Sequence, residues 1–153
     1  MKNILLLLLI NVTATAFLHA QNTIPGDKQK KEIYGLIDKY SEAREKRDTI
    51  LLKTILTTDI DQLVSTGEWR DGIASSVKGM LSSSANSPGT RTLTIEKLRM
   101  LNSTTAIVDC KYEIQNADGT VRKMWSSFIV VSDNDLWKIS AIRNMLPTGN
   151  NPI

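Results

Sequence analysis

The apolar positions of the chain recur first at helical spacing and later at strand spacing. Ile33, Leu36, Ile37, Tyr40 and Ala43 fall three and four residues apart, which predicts a helix over Lys28 to Lys46. Asp48 is a good N-cap for a short second helix carrying Leu52, Ile55 and Leu56 and ending near Thr57 to Asp59. A strand is predicted from Ile60 to Trp69, although Asp59 and Asp61 blur its start. Arg70-Asp71-Gly72 turns the chain. Asp71 can then cap a third helix with Ile73, Val77, Met80 and Leu81 on one face. The string SSSANSPG, Ser82 to Gly89, is rich in turn formers and reads as a loop. Four strands follow: Thr90 to Leu101, Thr104 to Asn116, Val121 to Ser132, and a last one opening at Leu136. They are joined by short turns at Asn102-Ser103, Ala117 to Gly119 and Asp133 to Asp135. Helices segregated from hairpin-linked strands predict an α+β domain with an antiparallel sheet.

The segment before this pattern has a different character. Met1-Lys2-Asn3 is followed by an unbroken apolar run from Ile4 to Ile10. The run is too short to span a bilayer as a helix and matches a secretory signal, with cleavage sites after Ala16 and after Ala20. The expected organisation is a signal peptide over 1–20 and one domain over 21–153, the latter long enough for a single core. The expected location is exported, periplasmic or secreted, with no membrane attachment after cleavage. Cys110 is the one cysteine. It can form no internal disulfide, so the domain must be held by packing. Its neighbours Ile107, Val108 and Tyr112 predict a buried, inert thiol.

The formal net charge is +3 and the charges are interspersed, as in DKQKKE and EAREKRD. That pattern describes a solvated surface and not a nucleic-acid-binding stripe. The only histidine, His19, lies in the signal segment. Once that segment is removed, histidine acid–base chemistry and histidine-based metal sites are excluded. The acids Asp59 and Asp61 lack calcium-loop spacing, so no metal is expected. No G-x-S-x-G string, phosphate-cradling glycine loop or cofactor motif is present, and no cofactor is expected.

Three strings together, IDKYSEAREKRD (Ile37 to Asp48), TTDIDQLVSTGEWRDG (Thr57 to Gly72) and WKISAIRNMLP (Trp137 to Pro147), in this order of elements, resemble the nuclear transport factor 2-like superfamily. That superfamily includes SnoaL-like cyclases and ketosteroid isomerases. The resemblance covers nearly all of the chain after the signal. It implies a cone-shaped α+β barrel, three N-terminal helices packed on a strongly curved antiparallel sheet, with a pocket between sheet and helices and a homodimer formed through the sheet. It does not imply a reaction, because one fold hosts many functions. By the family's spacing, the isomerases' carboxylate base falls at Val64, which moves no proton. Their helix-one tyrosine has a counterpart in Tyr40. Their late-strand aspartate falls near Trp125 or Ser126.

The residues therefore favour binding over catalysis, with a hydrophobic or weakly anionic small molecule as the expected ligand. An isomerase-, cyclase- or dehydratase-type enzyme acting on a hydrophobic ketone-like substrate is the first alternative. A homodimeric scaffold without ligand is the second. Pocket candidates are Tyr40, Trp69, Tyr112, Trp125 and Arg143, large aromatics and one cation of the kind that line ligand sites. Each aromatic could equally be core. Strand alternation puts Arg143 on one face with Trp137, Ile139, Ala141 and Met145. It predicts that the guanidinium points to the concave side, toward helix one. There it would serve a pocket or pair with an acid such as Glu68 or Asp61.

Overall fold

The computed structural model describes residues 24–148; the predicted signal segment lies outside the described residues. The chain forms α1 (Asp27–Lys46), α2 (Thr49–Ile55), β1 (Leu56–Leu63), β2 (Trp69–Asp71), α3 (Gly72–Asn86), β3 (Gly89–Asn102), β4 (Thr105–Asn116), β5 (Val121–Asp133) and β6 (Leu136–Met145). The Asp48 carboxylate accepts from the backbone N–H groups of Ile50 and Leu51, both at 2.9 Å, and starts α2 as its position predicts. The six strands form one sheet in the order β2-β1-β6-β5-β4-β3. All neighbours are antiparallel except β1 and β6, which run parallel. The sequential-hairpin reading misses this pair, because it joins the first long strand to the last.

The core lies between the helices and the inner face of the sheet. Ile33, Leu36, Ile37, Tyr40 and Ala43 of α1 pack against Val108, Phe128, Val130, Ile139 and Ile142. The alternation along β4 and β5 is regular, with Ala106, Val108, Cys110, Tyr112, Met124, Ser126, Phe128 and Val130 all buried on that face. Tyr40 meets Phe128 edge-on, with ring centroids 5.2 Å apart, a favourable arrangement of ring quadrupoles.

Three element boundaries differ from the sequence expectation. The second helix ends at Ile55 and β1 starts at Leu56, so Leu56 to Asp59 are strand and not the end of the helix. The predicted strand from Ile60 to Trp69 is two strands, because the chain reverses between them. Val64 N–H donates to the Glu68 carbonyl and Gly67 N–H to the Val64 carbonyl, at 2.9 and 2.8 Å. Gly67 supplies the left-handed φ of 91° that this turn needs. The predicted loop from Ser82 to Gly89 is helical as far as Asn86. The Arg91 guanidinium holds that helix end by donating to the carbonyls of Ser83, Ser87 and Gly89. A cation at this end also suits the helix dipole, so a contact from the next strand overrides the turn-forming composition.

Candidate functional site

A β-bulge decides where Arg143 goes. In the pairing of β5 with β6, Ile129 faces Ala141 and the next residue, Val130, faces Ile139. Ser140 is the extra residue. A one-residue shift exchanges the two faces of a strand. Trp137 and Ile139 therefore point inward before the bulge, and Ile142 and Asn144 after it. Ala141, Arg143 and Met145 point to the outer face, which corrects the expected concave placement of Arg143. The arginine makes an ion pair with Asp61 at 2.6 Å and lies over the Trp69 ring at 4.8 Å.

The five pocket candidates are thus divided by the sheet. Tyr40 and Tyr112 are buried on the inner face. Trp69, Trp125 and Arg143 lie on the outer face, where Trp125 pairs with Met145 and Lys111, and Leu63 with Trp69 and Arg143. No single pocket contains all five. Trp125 borders a shallow outer-face cavity of about 370 Å³ together with Asp109, Ser127 and Met145.

On the inner face, Tyr40 and Tyr112 belong to a polar cluster that sequence reasoning missed. The buried Arg44 guanidinium donates to the Tyr40 hydroxyl at 2.9 Å and, through Nε and Nη2, to the Ser84 hydroxyl at 3.4 Å. These partners are neutral. Among the described residues Arg44 makes no ion pair, so the interior holds a positive charge balanced only by dipoles. Burial raises the Tyr40 pKa above its ordinary value, with Arg44 opposing, and the phenol stays protonated at neutral pH.

A second arginine lies between the β1–β2 turn and α3. Ser76 of α3 donates to the Arg70 carbonyl at 3.2 Å, tying helix to strand. The Arg70 side chain then crosses α3 at Gly79, where a Cβ would come within 2.3 Å of Nε. Any larger residue there would have to displace the Arg70 side chain. The guanidinium forks onto Glu68, at 2.8 Å from Nε and 3.4 Å from Nη2, and donates to the Gln62 amide oxygen at 3.4 Å. The arrangement is the bidentate one that suits guanidinium and carboxylate. Hydrogen bonding and charge from Arg70 hold the Glu68 carboxyl below its usual range.

Glu68 and Arg70 line a polar cavity of about 530 Å³ between the β1–β2 turn and α3. Lys78 and Arg122 add two further cations, and Ser65, Ser75 and Ser82 add hydroxyls. Arg122 reaches across from β5 to donate to the Ser65 hydroxyl at 2.8 Å. Glu68 is the cavity's one carboxylate, already neutralised by Arg70, so Lys78 and Arg122 leave a net positive lining. Val64, at the position where the resemblance places a catalytic base, also lines this cavity. A depressed, ion-paired Glu68 is a weak base and no acid at neutral pH. The lining is net positive, with its one carboxylate engaged by Arg70.

No protein-family model matches the chain, and no curated protein matches it. Solved structures do. A protein from Nostoc punctiforme described as a domain of unknown function with a cystatin-like fold aligns over 82% of this chain and 81% of its own, with a TM-score of 0.72 and 12% identity. A protein from Novosphingobium aromaticivorans described as nuclear transport factor 2-like with a cystatin-like fold aligns over 80% and 84%, with a TM-score of 0.69 and 17% identity. One from Shewanella oneidensis, described as nuclear transport factor 2-like and of unknown function, aligns over 76% and 98%, with a TM-score of 0.62 and 18% identity. At these identities the likeness is one of fold. The chain has the α+β, cystatin-like fold of nuclear transport factor 2-like proteins, three helices on a curved and mostly antiparallel sheet.

Proposed function

We propose, for a chain with the nuclear transport factor 2-like fold, that it is an exported binding domain for a small, weakly anionic molecule. The carrying observation is the cavity between the β1–β2 turn and α3, in which Lys78 and Arg122 are not matched by acids and Arg70 is held in place by Glu68. Its volume of about 530 Å³ lies within the range of small-molecule sites. A carboxylate or enolate-like oxygen would meet Arg122 and Lys78 first, with the serine hydroxyls able to complete its hydrogen bonds. Binding without chemistry accounts for a lining whose only carboxylate is engaged.

Native mass spectrometry of protein recovered from its host should reveal a co-purified anion, and titration with a panel of small carboxylates should show saturable binding. Lys78→Ala with Arg122→Ala should weaken that binding at least tenfold while leaving the melting temperature nearly unchanged. Equal binding by parent and double variant would refute the assignment. Export is tested separately. The protein's N-terminal residue should be Phe17 or Gln21, and an intact Met1 on protein from the native host would refute it.

A second reading rests on the outer face of the sheet. Ile107, Trp125, Ile129 and Val131 are half-buried there, and Trp69 and Met145 are exposed. A contiguous apolar sheet face offers a seat for a second copy of this chain, as in a homodimeric scaffold. Sedimentation equilibrium of the parent and of Trp125→Glu tests it. A parent that remains monomeric at high concentration would remove this reading.

A further inference from the structure

A groove separate from the polar cavity runs between α1, α2 and the β5–β6 turn. Its volume is about 620 Å³. Leu36, Leu51, Ile55, Leu136 and Trp137 give it an apolar lining, and Lys28, Lys31, Lys39 and Lys138 stand along it with Glu32 and Asp135. Lys28 reaches Glu32 at 3.8 Å and Lys138 reaches Asp133 at 3.4 Å. Lys31 and Lys39 make no ion pair among the described residues. The groove therefore combines an oily floor with uncompensated positive charge on its α1 side.

Gly35 makes this groove unusual. It lies within the 20-residue helix α1 and lines the groove between Lys31 and Lys39. A glycine inside a helix weakens it relative to alanine. Two common reasons for such a glycine are absent. Its φ is not in the left-handed region, and an added Cβ would meet nothing within 4 Å. No packing within the chain requires the missing side chain, whereas an object lying in the groove would. The turn on the opposite side is a two-residue hairpin in which Asn134 and Asp135 hold left-handed φ values, 50° and 63°, as the favoured hairpin turn requires, and they lead into Leu136, which stands exposed at the groove's edge.

We infer that this groove binds a single-chain carboxylate amphiphile, its hydrocarbon chain between Leu36, Leu51, Ile55 and Trp137, and its carboxylate beside Gly35, where Lys31 and Lys39, one turn to either side on α1, can both lean to it. The occupant follows from charge and shape. An apolar trough suits one alkyl chain, and two free ammonium groups on one side suit one anionic head. The site shares no lining residue with the polar cavity, so either assignment can fail without the other.

The test uses decanoate below its micellisation threshold, with decanol as the uncharged counterpart, read by calorimetry and by Trp137 emission. Decanoate should bind saturably and at least tenfold more tightly than decanol. Gly35→Leu, which places a side chain in the trough, should weaken decanoate at least tenfold while keeping or raising the melting temperature. Lys31→Glu with Lys39→Glu changes only exposed charges, so it folds whatever Gly35→Leu does, and it should abolish the preference for decanoate over decanol. Lys78→Ala with Arg122→Ala, in the polar cavity, should leave decanoate binding unchanged. Absence of saturable decanoate binding, or equal binding by the parent and the lysine double variant, would overturn the inference. So would binding to anionic vesicles without binding to monomeric decanoate, since the lysines would then serve a membrane surface.

Discussion

Removing the Arg143 side chain tests the bulge-based placement directly. The guanidinium meets Asp61 at 2.6 Å and the Trp69 ring at 4.8 Å, and it also donates to the neighbouring Ile142 carbonyl at 3.0 Å. The pair is well formed but wet, since the side chains of Arg143 and Asp61 remain 29% and 38% exposed. Water and salt screen such a pair, and exposed pairs contribute about 0.2–1 kcal/mol. The stacking on an exposed indole adds about 0.5–1 kcal/mol. Arg143→Ala should therefore cost about 1–2 kcal/mol, a lowering of the melting temperature by roughly 3–8 °C for a domain of this size. An arginine buried on the concave side against an acid would instead cost about 3–5 kcal/mol on truncation, so the two placements predict separable numbers. The assay is urea unfolding of parent, Arg143→Ala and Arg143→Lys at low salt and at 1 M sodium chloride. The alanine loss should shrink at high salt, because the Debye length falls to about 3 Å. Lysine should recover much of the Asp61 term and little of the Trp69 term, because it keeps the charge without the planar fork. A loss above 3 kcal/mol that ignores salt would refute the outer-face account.

Other positions give independent checks. Burial pushes the Cys110 thiol up to about 12, so thiol reagents at neutral pH should label it only as fast as the domain opens, and rapid native labelling would contradict its burial. Gly79→Ala must push the Arg70 side chain off α3, because the new Cβ would lie 2.3 Å from Nε. Alanine favours the helix by about 0.5–1 kcal/mol, so the net stability should change little while the Arg70–Glu68 coupling, read by a double-mutant cycle with Glu68→Gln, should fall, and an unchanged coupling would show that Arg70 takes another course. Hydrogen bonding and charge from Arg70 hold the folded-state pKa of Glu68 below its ordinary unfolded value. Its contribution to stability is therefore present above that value and is lost as pH falls through the depressed one. Acid titration of Glu68→Gln should accordingly be flatter than the parent's over that window, and identical curves would remove the pair from the stability account.

The helical stripe of α1, the Asp48 cap and the four hairpin-linked strands were legible because each is written in local pattern: apolar spacing, a cap residue, turn formers between alternating runs. What failed was non-local. Nothing in WKISAIRNM marks Ser140 as the extra residue, because a bulge is defined by its partner strand, and Val130 pairs with Ile139 across the turn. One unreadable residue was enough to exchange the face of Arg143, whereas Trp125 falls on the opposite face from Tyr112 by the plain β4–β5 register, Tyr112 facing Met124 and Lys111 facing Trp125, so the candidate pocket is split there without the bulge. The loop expectation for Ser82 to Gly89 failed for the same reason, since the cation that holds the end of α3 comes from Arg91 in the next strand. The interior cluster did leave a signal. Ile33, Ile37, Tyr40 and Arg44 repeat at the helical period, so Arg44 is a charge on the apolar stripe and must be buried if the stripe is. Its chemistry was still hidden, because its partner Ser84 lies 40 residues away in a segment whose composition favoured a turn. Burial of a charged residue can be read from one element's period, whereas whether that charge meets an acid, a hydroxyl or a ligand depends on what a second element brings to it.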